Sequence, residues 1–448
     1  MIRINSTINM TQTQKDPAKS LSSIDTSVAM GDKAATSSQN PKCLFCASPL
    51  AQTFVDLGMS PLCESYISRE QLNQMEPFYP LHVRVCDQCF LVQLQQYVSP
   101  EHIFTEYAYF SSFSDTWLAH ARDYVDMIAE RLKLGSSSMV VELASNDGYL
   151  LQNFVKKGIP ALGVEPAANV AKVAVEKGVP TLVVFFGRNT AEKMVANGKK
   201  ADLIIGNNVL AQVPDINDFV GGISILLKPH GVATLEFPHL VKLMEQNQFD
   251  TIYHEHFSYF SLISVEKIFA AHGLAVFDVE ELSTHGGSIR IYARHANDTS
   301  MPVSARLVDL RNRELALGLD RMNTYSSFAE QVKATKRNLL EFLIQARRSG
   351  SKVVGYGAPG KGNTLLNYCG IRTDFLDFTV DRNPYKQGKF LPGTHIPIFP
   401  VEKIDEARPD YVLILPWNFK DEIIKQMARI RSWGGKFVVP IPNVQIIP

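Results

Sequence analysis

From residue 138 onward the chain alternates short apolar runs with segments of helical length, and this alternation restricts the fold more than any other feature. SMVVELAS (138–145) is followed by the turn Asn146-Asp147-Gly148 and a helix over about 149–157. ALGVE (161–165), TLVVFF (181–186), ADLIIGNN (201–208) and GVATLEF (231–237) repeat the pattern, each after a stretch long enough to cross back over a sheet. Near-continuous apolar strands joined by crossover helices make a parallel sheet covered on both faces. After a helix over about 265–273, LAVFDVEEL (274–282) and SIRIYAR (288–294) read as a closing antiparallel hairpin, a last reversed pair that gives seven strands. In an open parallel sheet, ligands lie beyond the carboxyl ends of the strands, where strand order reverses.

That rule singles out a small set of residues. The loop after the first strand (E-L-A-S-N-D-G) offers Glu142, Asn146, Asp147 and Gly148. Glu165 ends the second strand, where a carboxylate can accept both hydroxyls of a ribose; Asn207 and Asn208 end the fourth. A dinucleotide needs G-x-G-x-x-G in the first turn to accommodate a pyrophosphate, and only Gly148 is present there. S-adenosylmethionine carries no phosphate and has no such requirement. Each residue alone reads as well as a turn or cap; their joint placement predicts a class I S-adenosylmethionine site, and a methyltransferase.

Upstream, four of the six cysteines form two C-x2-C pairs, Cys43/Cys46 and Cys86/Cys89, while Cys63 and Cys369 stand alone. Two such turns complete a tetrahedral zinc site. Four sulfurs leave no position for substrate, so this zinc is expected to hold a fold and do no chemistry. Residues 1–40 are polar and poor in aromatics, and read as a disordered leader rather than a transit peptide. Lys+Arg and Asp+Glu balance at 45 each, so nothing points to nucleic acid or an anionic membrane as partner. No apolar run reaches the length of a membrane helix, and a cytoplasmic protein is expected.

A long helical stretch over about 301–349 leads to the strand KVVGYG, a glycine turn and a helix from about Asn363. Gly355, Gly357 and Gly360 form G-x-G-x-x-G, and Asp381 follows a strand some twenty residues on. Taken alone, this is a dinucleotide fingerprint, and an NAD(P)-dependent oxidoreductase is the alternative function. Gly360-Lys361 also nearly completes a P-loop, but Gly362 stands where Ser or Thr must hold magnesium. A third reading places the diphosphate of a nucleotide-sugar on the turn's N–H groups and Lys361. A turn kept only for packing, and a nonenzymatic zinc-stabilised binding protein, are the plainer alternatives.

Eight segments in order resemble the C-methyltransferases that act on nucleotide-linked 4-keto-deoxyhexoses: the cysteine pairs, YAYFSSFSDTW, VVELASNDGYLL, NNVLAQVPD, FDTIYHEHFSYFSL, HGGSIRIYAR, VVGYGAPGKGNTLLN and LILPWN. The resemblance covers nearly the whole chain from Cys43. It implies an α/β protein: a zinc-binding module (41–105), a class I methyltransferase Rossmann-like domain (106–300), and a second Rossmann-like domain that binds the nucleotide-sugar (301–448). It also implies C-methylation next to a C4 ketone, at C3. Gln212 in VLAQVPD stands where many relatives have histidine and receives no role; Gly360 replaces a frequent alanine.

Tyr253-His254-Glu255-His256 places four proton-active side chains in succession. A carbon beside a ketone becomes a nucleophile when a base removes its proton, and histidine is largely neutral at physiological pH. The family pattern maps the active groups onto Tyr253, Glu255 and His256, with His256 the preferred base, Tyr253 a donor or alternate base, and Glu255 an orienting carboxylate. Geometry leaves the pairing open, since a helix puts Tyr253 beside His256 and a strand puts it beside Glu255. A surface turn of satisfied polar groups is the bland reading. Tyr109 is named for the sugar pocket, and Gly355, Gly357, Gly360, Lys361 and Asn363 for the nucleotide-sugar.

Overall fold

The computed structural model describes residues 41–99 and 110–448; the leader expected over 1–40 lies outside them. The first sheet opens with three antiparallel strands, β1 (Gln52–Ser60), β2 (Tyr79–Val85) and β3 (Val92–Leu94). The two cysteine turns are copies of one another. Ala47 N–H donates to Cys43 O and Phe90 N–H to Cys86 O, both at 3.0 Å; Cys43 N–H reaches Ser48 O at 2.8 Å and Cys86 N–H reaches Leu91 O at 3.0 Å. The residue after each second cysteine is left-handed, Ala47 at φ 58° and Phe90 at φ 64°, which curls each turn around its pair of thiols.

All four sulfurs lie within 4.8 Å of one another, with Cys43–Cys89 and Cys46–Cys86 each at 3.5 Å. Tetrahedral zinc–sulfur bonds of about 2.3 Å require sulfurs roughly 3.8 Å apart, so this cluster fits zinc. Gln93 braces it, its amide donating to Cys43 Sγ at 3.2 Å and accepting Leu44 N–H at 2.7 Å.

The central sheet contains β4 (Val140–Leu143), β5 (Ala161–Val164), β6 (Thr181–Leu182), β7 (Ala201–Asn207) and β8 (Leu227–Pro238), all parallel. A two-residue strand, β9 (Ser258–Tyr259), leaves it to pair with β3. Then β10 (Leu274–Leu282) and β11 (Ser288–His295) complete the order β10-β11-β8-β7-β4-β5-β6. The closing antiparallel hairpin is as expected, but only one of its two strands is reversed relative to the sheet. β11 is antiparallel to both neighbours, so β10 runs with the others and β11 alone is reversed. TLVVFF also shortens to Thr181–Leu182, because β6 is the sheet edge and Val183–Phe185 peel away exposed.

The single helical stretch expected over 301–349 is three helices, Ala305–Ala316, Asn323–Ser326 and Phe328–Arg348. Gly318, left-handed at φ 79°, ends the first; a Cβ there would meet Thr324 Oγ1 at 2.7 Å. The last sheet holds β12 (Val353–Tyr356), β13 (Thr379–Val380), β14 (Ile398–Phe399), β15 (Tyr411–Ile414), β16 (Lys436–Val439) and β17 (Gln445–Ile447), in the order β14-β13-β12-β15-β16-β17. Only β17 is antiparallel. Its order reverses between β12 and β15, as the central sheet's does between β4 and β7.

Phe54 of β1 stacks on Phe328 at 4.5 Å, and the first sheet shares one apolar core with helix Phe328–Arg348 and the last sheet. The cysteines pack instead with the central sheet's core. Among the described residues, no helix is long and apolar enough to cross a membrane.

Structural zinc in small modules contributes on the order of 10 kcal/mol. Cys86→Ser is therefore expected to lose the metal and to lower the melting midpoint by roughly 10 °C or more. Elemental analysis and a thermal scan of the same samples check both.

Candidate active site

The two order reversals open onto one cavity of about 680 Å³. On the central-sheet side, the loop after β4 turns through left-handed Ala144 (φ 55°), Asn146 (φ 49°) and Gly148 (φ 74°). Glu165, just past β5, accepts Asn146 N–H and Ala167 N–H, each at 2.9 Å, and burial raises its pKa. Each carboxylate oxygen still has a lone pair for a further donor. At the end of β7, both amide atoms of Asn207 and Oδ1 of Asn208 are shut off from solvent without a protein partner. Unpaired buried polar groups are costly. A ligand with hydroxyl and amine groups at this crevice satisfies them, so the residues present fit S-adenosylmethionine.

Asn146, Glu165, Asn207 and Asn208 line the cavity; Glu142, Asp147 and Gly148 do not. Glu142 is buried beneath the loop, and burial with the Glu165 and Asp147 carboxylates holds its carboxyl well above the usual range. Asp147 turns to Lys177 Nζ at 3.0 Å and Ser112 N–H at 3.3 Å. Gly148 packs so closely that an added Cβ would stand 3.1 Å from Ala174 and Val179.

Another wall of the cavity is built by 249–257. A 3-10 turn, Phe249–Thr251, leads into a tight turn in which His256 N–H donates to Tyr253 O at 2.9 Å. Tyr253 and His256 thus share a side, their ring centroids 4.0 Å apart, although the segment is neither helix nor strand. His256 Nδ1 lies 2.8 Å from Thr251 O. A carbonyl only accepts, so Nδ1 carries the proton and Nε2 the lone pair. Removal from bulk water, with the Lys361 ammonium adding to it, pushes the His256 pKa down to about 4.

Glu255 is buried and accepts the Cys63 thiol at 3.6 Å; burial first, then the Glu64 carboxylate, pushes its pKa up to about 8. His254 instead points to Pro80 O at 3.2 Å. Tyr109 lies outside the described residues.

On the last-sheet side, Gly360 and Lys361 line the cavity, while Gly355, Gly357 and Asn363 do not. Gly355 and Gly357 are there for packing. Gly355 N–H donates to Phe378 O at 2.8 Å and Gly357 N–H to Val380 O at 2.6 Å. A Cβ at Gly355 would meet Thr379 Oγ1 at 2.6 Å, and one at Gly357 would meet Pro416 Cδ at 2.5 Å. Asp381 accepts Ala358 N–H at 2.7 Å, so it holds the turn. Lys361 Nζ sits 4.8 Å over the Trp417 ring, between His285 O at 3.4 Å and Asn418 Oδ1 at 3.5 Å.

Sequence reasoning missed Trp117, Cys63, His285 and Asn418, and gave Gln212 no role; all five line the cavity. Trp117 was legible only as part of YAYFSSFSDTW. It stacks on His120 one helical turn on at 5.0 Å, and on Tyr149, distant in the chain, at 5.9 Å.

A seven-stranded sheet with one reversed strand beside its edge, and an acidic residue ending its second strand above a cavity, defines a class I S-adenosylmethionine-dependent methyltransferase. More narrowly, the chain belongs to the C-methyltransferase family. Residues 283–442 match the C-methyltransferase C-terminal domain, 117–279 a methyltransferase domain and 43–104 a zinc binding domain. The chain is 37% identical over 406 residues to C-methyltransferase NovU of Streptomyces niveus, an alignment covering 91% of this chain and 96% of that one. It is 28% identical over 134 residues to a ubiquinone biosynthesis O-methyltransferase of Bartonella bacilliformis, covering 28% of this chain and 53% of the relative. Among solved structures, magnesium protoporphyrin IX methyltransferase (ChlM) of Synechocystis PCC 6803 with bound SAM aligns at 16% identity and a TM-score of 0.30. That alignment covers 40% of this chain and 81% of the other.

Glu255 gives a pH signature. Its carboxyl, at 4.5 when exposed and about 8 when folded, favours the folded state below pH 4.5, and that contribution is lost as pH rises to 8. Glu255→Gln is expected to gain melting temperature relative to the parent across that window, at up to about 1.4 kcal/mol per pH unit. Paired thermal scans from pH 5 to 8 check the slope.

Proposed function

We propose that the protein methylates a carbon next to the ketone of a nucleotide-linked 4-keto-deoxyhexose, at C3. The observation that carries this reading is the single cavity shared by two order reversals, one suited to S-adenosylmethionine and the other to a second, nucleotide-bearing ligand. Between them stand Tyr253, Glu255 and His256, the acid–base groups that enolising a ketone needs. The described kind of the full-length relative, a C-methyltransferase, agrees with a carbon acceptor.

When bound, S-adenosylmethionine supplies an electrophilic methyl group. Asn146, Glu165, Asn207 and Asn208 hold it, with Glu142, Asp147 and Gly148 supporting the loop from behind. His256 Nε2 removes the proton from the carbon beside the ketone. With a pKa near 4 it stands ready to accept at neutral pH, yet it is a weak base, so the enolate oxygen needs donors. Tyr253 is one donor or an alternate base. Glu255, protonated below about pH 8, orients the sugar through hydrogen bonds. Lys361 and the helix start at Gly360 receive the diphosphate. The zinc module (41–105) and the last domain (301–448) enclose the sugar against the methyltransferase domain (106–300), and the zinc remains structural.

Two substitutions separate binding from chemistry. Glu165→Ala is expected to weaken S-adenosylmethionine binding more than tenfold by calorimetry. His256→Ala is expected to keep that affinity and lower methyl transfer to dTDP-4-keto-6-deoxyglucose at least a thousandfold, read as loss of the 14-dalton mass gain. Methylation at oxygen, or no mass gain with the parent protein, contradicts the reading.

A further inference from the structure

Beside His256, and His254 with its ring turned to Pro80 O, a third histidine lines the cavity and has no role so far. His285 opens a run of three left-handed residues between β10 and β11, with φ of 54° at His285, 91° at Gly286 and 116° at Gly287. A histidine in this region is disfavoured, and it persists only where its surroundings over-determine it. They do so here from several directions. Gln248 Nε2 donates to Gly286 O at 2.6 Å, and a Cβ on Gly286 would meet Trp417 Cη2 at 2.7 Å. Lys361 Nζ reaches His285 O at 3.4 Å. Thr284 Oγ1 donates at 2.9 Å to Glu236, itself held by Arg290 at 2.6 Å and His120 at 2.9 Å.

The ring is held as firmly as the backbone. Asn208 Nδ2 lies 3.0 Å from His285 Nε2, and the Trp117 ring lies 5.2 Å away. An amide nitrogen only donates, so His285 Nε2 carries the lone pair and Nδ1 carries the proton. His256 has the same tautomer, but there the proton is given to Thr251 O. The free nitrogen of His256 is therefore an acceptor, and the free nitrogen of His285 is a donor. Both rings stay neutral at pH 7: removal from bulk water, with the Lys361 ammonium adding to it, pushes His285 down to about 4 as well. The position also matters. Its ring meets Asn208 at the end of β7 and its carbonyl meets Lys361 of the last-sheet side, so His285 touches both halves of the cavity.

We propose that His285 is a catalytic residue whose Nδ1–H holds the ketone oxygen of the acceptor while His256 Nε2 takes the proton from the neighbouring carbon. This rests on the keto-sugar reading above. The C–H bond breaks, its proton goes to His256 and its electron pair becomes the enolate C=C, the C=O pair moving to oxygen against His285 N–H. That carbon then forms its bond to the methyl group as the methyl–sulfur bond breaks. The sulfur keeps that electron pair, the C=O re-forms, and His256 returns its proton to water. A neutral imidazole is a suitable donor here because it stabilises the enolate without first protonating the ketone.

The test uses His285→Asn in the full chain, since asparagine adopts left-handed backbone readily and its shorter side chain does not reach the ketone. With dTDP-4-keto-6-deoxyglucose and S-adenosylhomocysteine in deuterated water, proton NMR follows exchange of the C3 proton, a step that precedes methyl transfer. The expected result is a 10²- to 10³-fold fall in both exchange and methyl transfer, with S-adenosylmethionine affinity within threefold of the parent. Exchange as fast as the parent overturns the proposal, and so does a fall that is matched by loss of cofactor binding. Nitrogen-15 shifts of the parent protein are expected to place the His285 proton on Nδ1; a proton on Nε2 also overturns it. A parent protein that exchanges no sugar proton at all overturns the keto-sugar reading itself, and with it this role for His285.

Discussion

The peptide of Phe257 is hydrogen-bonded on both sides: its N–H donates to Ala211 O at 2.7 Å, and its C=O accepts Leu94 N–H at 2.9 Å. Ala211 follows β7 of the central sheet, and Leu94 belongs to β3 beside the zinc turns. One residue therefore ties the zinc-bearing sheet to the cofactor sheet, immediately after Tyr253-His254-Glu255-His256. The zinc site fixes the hairpin β2–β3, β3 fixes β9, and β9 fixes the turn that holds the acid–base groups. A four-sulfur metal with no open position can thus govern the geometry of the chemistry while taking no part in it. The third sheet closes the other side, since Thr364 Oγ1 of helix Gly360–Cys369 donates to Ile252 O at 2.9 Å within the same turn.

Enclosure from three sides sets the electrostatics. Burial is the largest cause at Glu255, raised, and at His256, His285 and Lys361, lowered. In each case loss of water disfavours the charged form. Around the 253–256 turn the cavity consequently holds neutral groups, the Glu255 carboxylic acid and the His256 and His285 imidazoles, with the Lys386–Glu64 ion pair at 3.6 Å and Lys361 along its wall. That suits the proposed reaction, whose charge appears only transiently on an enolate oxygen, because hydrogen bonds aimed at such a charge are stronger where water is absent. Asp250, held by Trp417 Nε1 at 2.6 Å and pushed up to about 6 by burial, keeps a potential negative charge behind the Lys361 ammonium rather than in front of it.

Local patterns made part of this legible in the sequence. C-x2-C spacing specifies a metal turn by itself, and apolar runs such as Leu203–Ile205, buried along their whole length, specify buried parallel strands. Glu165 and Asn208 were found because strand ends carry function in this topology. The rest depended on non-local contacts. Whether Glu142 or Asn146 faces the cavity is decided by left-handed backbone at Ala144 and Asn146. The fingerprint of Gly355 and Gly357 was ambiguous because Thr379 and Pro416, distant in sequence, are what exclude a side chain there. His285 stood in a quoted motif, but only its contacts with Asn208, Trp117 and Lys361 distinguish it from a loop histidine.

The central claim is that two ligands occupy adjoining crevices of one cavity at the same time. Calorimetric titration of thymidine diphosphate, alone and with saturating S-adenosylhomocysteine, tests it most directly. Both are expected to bind one molecule together, the second affinity shifting by less than about threefold, or under 0.7 kcal/mol. Mutual exclusion, with the apparent Kd for the nucleotide rising in proportion to S-adenosylhomocysteine, would place both ligands in a single crevice and contradict it.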